Sequence, residues 1–127
     1  MHHHAEKGCS FCAFSVDLEQ IIAETKHFWI TRNIFPYGLW DDHEVAEHLL
    51  LVPKQHTESI RTFNSDEKIE FVDIVGEYEA EGYSVYARSP GNKSKTIPHQ
   101  HTHLIKLKGK AKRFNVRVNK PYLLLYR

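Results

Sequence analysis

Cysteine is scarce in this 127-residue chain: Cys9 and Cys12 are the only two, too few for a disulfide framework to carry the fold. No apolar run approaches the roughly 18 residues of a membrane-spanning helix, which argues against a helical membrane protein. The start of the chain has no charged-then-apolar stretch ahead of a small-residue cleavage site, so no secretory signal is expected and the expected location is cytoplasmic. Repeats, low-complexity tracts and long linkers are missing as well. With 41% hydrophobic, 26% charged and 12% aromatic residues, the composition is that of a globular protein and not of a disordered one. The length fits one domain over residues 9–127, and the His-rich residues 1–8 are left out of the fold.

Acidic residues are also absent where the cations gather. All 16 Asp and Glu lie between Glu6 and Glu81, whereas 11 Lys or Arg and no acid follow from Arg88 onward. The formal charge of +1 therefore hides an acidic first part of −10 and a basic last part of +11. A cationic stretch of this kind favours anionic ligands such as phosphate or nucleic acid, unless the two parts neutralise each other by packing together.

Residues 19–24 read as a strand, 25–26 as a tight turn and the aromatic, β-branched run 27–33 as an antiparallel partner. Pro, Gly and an Asp pair mark residues 35–44 as a loop, although its Tyr, Leu and Trp suit a segment that covers a site. His48-Leu-Leu-Leu-Val52 is a central strand halted by Pro53. Asn64 and Glu67 have capping-box spacing, and Ile69, Val72, Val75 and Tyr78 recur at helical intervals before Gly82, which predicts a helix over 65–81. Strands follow at 83–87 and 98–108, and a hairpin at 114–126 ends the chain. The fold class is α+β: a mostly antiparallel sheet with one long helix and short helical segments.

Chemistry concentrates in His99-Gln-His-Thr-His103. On a strand, three imidazoles at i, i+2 and i+4 share one face about 6.8 Å apart. That suits metal chelation, or a nucleophile flanked by groups that bind phosphate. This stretch, with Leu104-Ile105 after it, resembles the His-φ-His-φ-His-φ-φ motif of the histidine-triad (HIT) superfamily of nucleotide hydrolases and nucleotidyl transferases. The likeness extends to His48-Leu-Leu-Leu-Val-Pro-Lys-Gln-His56, to Trp29-Ile-Thr-Arg-Asn33 and to Cys9-Ser-Phe-Cys12, in the family's order. Gln100 and Thr102 are more polar than the family's usual inner positions.

The resemblance implies a reaction. A neutral imidazole is a competent nucleophile toward phosphorus. By resemblance His101 attacks an α-phosphate to form a nucleotidyl-histidine, His103 stabilises phosphate oxygens, and Thr96 supplies a hydroxyl. Asn33 would bind ribose, and Ile34 and Leu50 would stack on the base. Arg88, thirteen residues before His101, would complete the nucleotide site with Thr96 and the three triad histidines. Arg88 stands where the family usually has Asn or Gln, which favours a longer or more anionic polyphosphate, unless the register is shifted. Asn33 and His48 are 15 positions apart against a family spacing of about eight, so residues 35–47 form an insert near the ribose site.

The Cys-x-x-Cys lacks the βαβ context of a redox pair. Tetrahedral zinc needs two further ligands. The resemblance implies a structural zinc on Cys9, Cys12, His48 and His99, with His43 competing and His27 or His56 left open. It also implies a homodimer, to which the apolar terminal strand 122–126 adds an edge able to pair with a second copy. Two rival functions remain at this level: a nucleic-acid-binding or deadenylylating module using the basic run 106–113, and a non-catalytic zinc protein.

Overall fold

A computed structural model describes residues 9–91 and 98–109. Five antiparallel strands form the main sheet: β1 (Ile21–Glu24), β2 (Phe28–Arg32), β4 (His43–Pro53), β6 (Thr102–Leu107) and β5 (Ser84–Tyr86), in the order β1-β2-β4-β6-β5. β3 (Leu39–Trp40) pairs with the start of β4. One α-helix, α1 (Ser65–Ala80), and two short 3-10 turns (Ser10–Ala13 and Ile60–Thr62) complete the described residues. No helix among them is long and apolar enough to cross a membrane.

Both faces of the sheet are covered, which explains why residues 49–52 of β4 are continuously apolar instead of alternating. On one face Phe28, Ile30, Leu49, Leu51 and Leu104 pack against Phe63, Ile74 and Tyr78. On the other, Ile21, Trp29, Leu50 and Val52 are covered by Phe11 and Phe14 from the N-terminal segment. Strand alternation puts His48 and His103 on this second face with Leu50. The register sets them close: Leu50 lies opposite His103, and His103 opposite Tyr86.

The helix begins as its sequence dictates. The Glu67 N–H donates to Asn64 Oδ1 at 2.8 Å, and Glu67 Oε1 accepts from the Asn64 N–H at 2.7 Å. Gly82, at φ +98, ends it. The buried stripe differs from the expected one. Ile74 and Tyr78 are buried with Phe71 and Val75 packed beside them, while Ile69 and Val72 are 63% and 65% exposed. The Phe71 ring meets Phe28 at a tilt and Phe63 edge to face, and the larger aromatic takes the inward face in place of Ile69 and Val72. Glu70 clips the helix to the β1–β2 turn, its carboxylate accepting the His27 N–H at 2.8 Å and hydrogen-bonding the Thr25 hydroxyl.

Two further readings are corrected. Residues 35–44 are not a plain loop: Asp41 and Asp42, at φ 54 and φ 62, close a two-residue turn that pairs Trp40 with His43 and Leu39 with Glu44. The strand expected over 98–108 starts only at Thr102, because the Gln100 N–H is drawn off to the Thr57 carbonyl at 2.6 Å. His99 and His101 therefore precede the strand. The expected hairpin at 114–126, with its dimer edge, and Thr96 lie outside the described residues.

The capping box gives a test. Asn64→Ala should lower unfolding free energy by about 1 kcal/mol in a denaturant titration. An unchanged midpoint would show that the cap adds nothing to the helix.

Candidate active site and metal cluster

The proton positions at the triad follow from partners that can act in only one way. His101 Nδ1 lies 2.8 Å from the carbonyl oxygen of His99. A carbonyl only accepts, so Nδ1 carries the proton and neutral His101 keeps its lone pair on Nε2. The His101 ring stands edge-on to Phe11, centroids 5.1 Å apart, and 5.4 Å from the ring of His103.

A second chain of contacts orients His103. The backbone N–H of Tyr37 donates to His48 Nδ1 at 3.0 Å. His48 Nε2 lies 2.8 Å from His103 Nδ1, so the two rings share one proton across that contact. His103 Nε2 in turn faces Arg88 Nη1 at 3.5 Å. Burial, reinforced by the charge of Arg88, lowers His48 to a pKa of about 4. Burial first, then His48, His101 and Arg88, lowers His103 to about 3. Both rings are thus neutral near pH 7.

These groups border a pocket of about 560 Å³ lined by Phe11, Phe14, Asn33, Ile34, Leu50, Arg88, His101 and His103, among others. Its size suits a nucleotide-sized ligand. The insert supplies one wall. Tyr37 stacks on His103 at 5.5 Å and 19°, and on Trp40 at 5.5 Å and 15°. Arg88 donates to Tyr37 Oη at 3.0 Å and lies over the Tyr86 ring. Asn33 sits against His48, Nδ2 3.2 Å from Nε2, while its Oδ1 accepts the Phe35 N–H at 2.9 Å.

Beside the triad, Cys9, Cys12, His56 and His99 bring one ligand atom each within 4.8 Å of one another. Cys9 Sγ and Cys12 Sγ are each 3.5 Å from His99 Nδ1, and Cys12 Sγ is 3.2 Å from His56 Nδ1. Bond lengths of about 2.0–2.3 Å give a zinc tetrahedron edges of roughly 3.3–3.8 Å, so the donor set fits zinc. His99 Nε2 donates to the Pro53 carbonyl at 2.8 Å, which leaves Nδ1 unprotonated toward the thiols.

The pocket lining brings together His101, His103, Arg88, Asn33, Ile34 and Leu50, whereas His99 lies with the cysteines. The fold does not place His48 with the cysteines. His48 is on β4 facing His103, and His56, in the turn after Pro53, completes the cluster in its stead. The physical reason is reach: the Pro53 turn brings His56 back to His99, whereas His48 lies five residues up the strand. His43 is also apart, its Nδ1 2.7 Å from the Asp41 carbonyl. Sequence reasoning gave Phe11 no role and Tyr37 only a place in a segment that covers a site. The signal for Tyr37 was an aromatic residue kept inside a Pro- and Gly-bearing insert.

No family model matches the sequence, and a search of curated proteins also finds no match. Solved structures do match. A HIT family hydrolase from Legionella pneumophila is 25% identical, with 80% of this chain and 93% of that one aligned at a TM-score of 0.56. A HIT family hydrolase from Clostridium thermocellum is 21% identical, covering 94% of this chain and all (100%) of that one at 0.60. A zinc-bound histidine triad family protein from Mycobacterium smegmatis is 21% identical, covering 87% and 82% at 0.58.

The buried histidine pair sets a pH dependence. Each imidazole, with an ordinary pKa near 6.5, is free to protonate in the unfolded chain but not in the fold. Their contribution to stability is therefore full above about pH 6.5 and is lost as pH falls toward about 4 and 3. In a proton NMR titration the ring signals of His48 and His103 should stay flat from pH 8 to roughly pH 5. An inflection near the ordinary value for either would contradict the neutral pair.

Proposed function

We propose that this chain, similar in fold to HIT family hydrolases and carrying the His99, His101, His103 motif, is a nucleotide phosphohydrolase or nucleotidyl transferase acting at an α-phosphate. The observation that carries this reading is the 2.8 Å contact of His101 Nδ1 with its own chain's carbonyl, which reserves Nε2 for attack in a pocket of nucleotide size. Nε2 forms a bond to the α-phosphorus as the bond to the leaving group breaks, and the leaving group takes up a proton from solvent. Water then attacks the nucleotidyl-histidine, the N–P bond breaks, and a nucleoside monophosphate departs. An acceptor other than water makes the same step a transfer. His103 meets the non-bridging oxygens, whose charge is the chief thing to be stabilised. Asn33, Ile34 and Leu50 hold the nucleoside. Substrates are dinucleoside polyphosphates or nucleoside phosphoramidates.

Zinc in this reading is structural, on Cys9, Cys12, His56 and His99. When bound it ties the N-terminal segment, and with it Phe11, to the residue whose carbonyl fixes His101. Only one triad histidine belongs to the cluster, which speaks against a protein whose triad is merely a set of metal ligands.

Two measurements follow. His101→Ala should lower kcat at least ~1000-fold on a panel of such substrates while nucleotide binding persists, and retained turnover would refute the mechanism. One zinc per chain is expected by elemental analysis. His56→Ala should lose it and melt at a lower temperature, whereas His48→Asn should keep it. The reverse pattern would restore His48 to the ligand set.

A further inference from the structure

Arg88 occupies an unusual position in the pocket. Among the described residues no Asp or Glu lines the cavity, and its histidines share it with the Arg88 guanidinium. Tyr37 Oη accepts one N–H of Arg88 at 3.0 Å, and the Tyr86 ring lies 5.5 Å under its Cζ. These contacts fix the group without neutralising it, since neither partner carries charge. Its Nη1 is 3.5 Å from His103 Nε2. The guanidinium thus borders the same cavity as His101 and His103, an arrangement suited to an oxyanion that takes hydrogens from a fixed cation beside the triad.

We propose that Arg88, held in place by Tyr37 of the insert, selects nucleotides in which a second phosphate adjoins the one at His101. The proposal rests on the reading that His101 meets an α-phosphate. In that reading His103 already meets the oxygens of that phosphate, so a fixed cation beside it adds most when a further anionic group follows. A phosphoanhydride, whose leaving group is itself a phosphate, supplies one; a phosphoramidate with an uncharged amine does not. Residues 35–47 acquire a purpose by the same argument. They carry Tyr37, whose ring stacks on His103 and whose hydroxyl aims Arg88, so one aromatic residue positions both side chains. Tyr37 is a positioning residue, and Arg88 the group that touches the ligand.

The test is binding, which is independent of turnover. AMP is compared with its α,β-methylene diphosphate analogue, which cannot be cleaved at the α-phosphorus, by calorimetry at fixed ionic strength. Wild type should bind the analogue more tightly than AMP. Arg88→Gln should weaken the analogue roughly 10- to 100-fold and AMP by clearly less. Arg88→Lys, which keeps the charge but not the fork, should fall between them. Tyr37→Phe keeps the ring and loses the hydroxyl, and should reduce the preference for the analogue in the same sense by a smaller factor. Equal weakening of both ligands in Arg88→Gln, or no preference in wild type, would overturn the role of Arg88. Wild-type preference in Tyr37→Phe would overturn that of Tyr37. If Arg88→Gln does not fold, Arg88→Lys against wild type decides by the same ratio. Absence of turnover at any α-phosphate would sink the catalytic reading while the binding ratio still reports on Arg88; absence of all nucleotide binding would overturn both.

Discussion

Two backbone carbonyls decide what the histidines of this protein can do. The Pro53 carbonyl takes the Nε2 proton of His99, and the His99 carbonyl takes the Nδ1 proton of His101. Imidazole has two nitrogens of similar basicity, and a free ring leaves the choice between them open. Here each choice is made by a group that cannot donate. His99 thereby turns an unprotonated Nδ1 toward the cysteines, and His101 keeps its lone pair on Nε2, as the proposed ligand and nucleophile require. Two residues apart in sequence, they present opposite nitrogens from the segment that precedes the strand beginning at Thr102.

The same constraint joins the metal cluster to the reaction. Cys9 and Cys12 flank Phe11, whose ring meets the edges of both His99 and His101. Phe11 and Phe14 also cover one face of the sheet and line the pocket. Holding the cysteines therefore holds the pocket wall and His99, whose backbone carbonyl contacts His101 Nδ1. On the other side of the triad a tyrosine does comparable work: its backbone N–H donates to His48, while its ring and hydroxyl contact His103 and Arg88. His103 and His48 remain neutral because they are buried and lie near Arg88, so the charge in the pocket rests on the guanidinium.

Much of this was legible in the sequence where local chemistry is decisive. Asn64 and Glu67 marked the helix start and residues 48–52 the central strand, because each signal is carried by near neighbours. Misreadings came where distant packing rules. The inward stripe of α1 is fixed by Phe71 meeting Phe28 and Phe63, which no helical periodicity reveals. His48 and His56 both sit in the matched segment, and their separate destinies depend on the chain reversing after Pro53. Asp41-Asp42 was read as a loop signal, although two short polar residues that tolerate positive φ also suit a hairpin turn.

The wiring of the triad is open to direct observation by nitrogen NMR of histidine-labelled, zinc-loaded protein near pH 7, where the two ring nitrogens of each residue report their protonation separately. His101 should show a protonated Nδ1 and an unprotonated Nε2, and His99 the opposite pattern. A proton found on Nε2 of His101 would contradict the assignment of the nucleophile, since the lone pair would then face its own backbone and not the pocket.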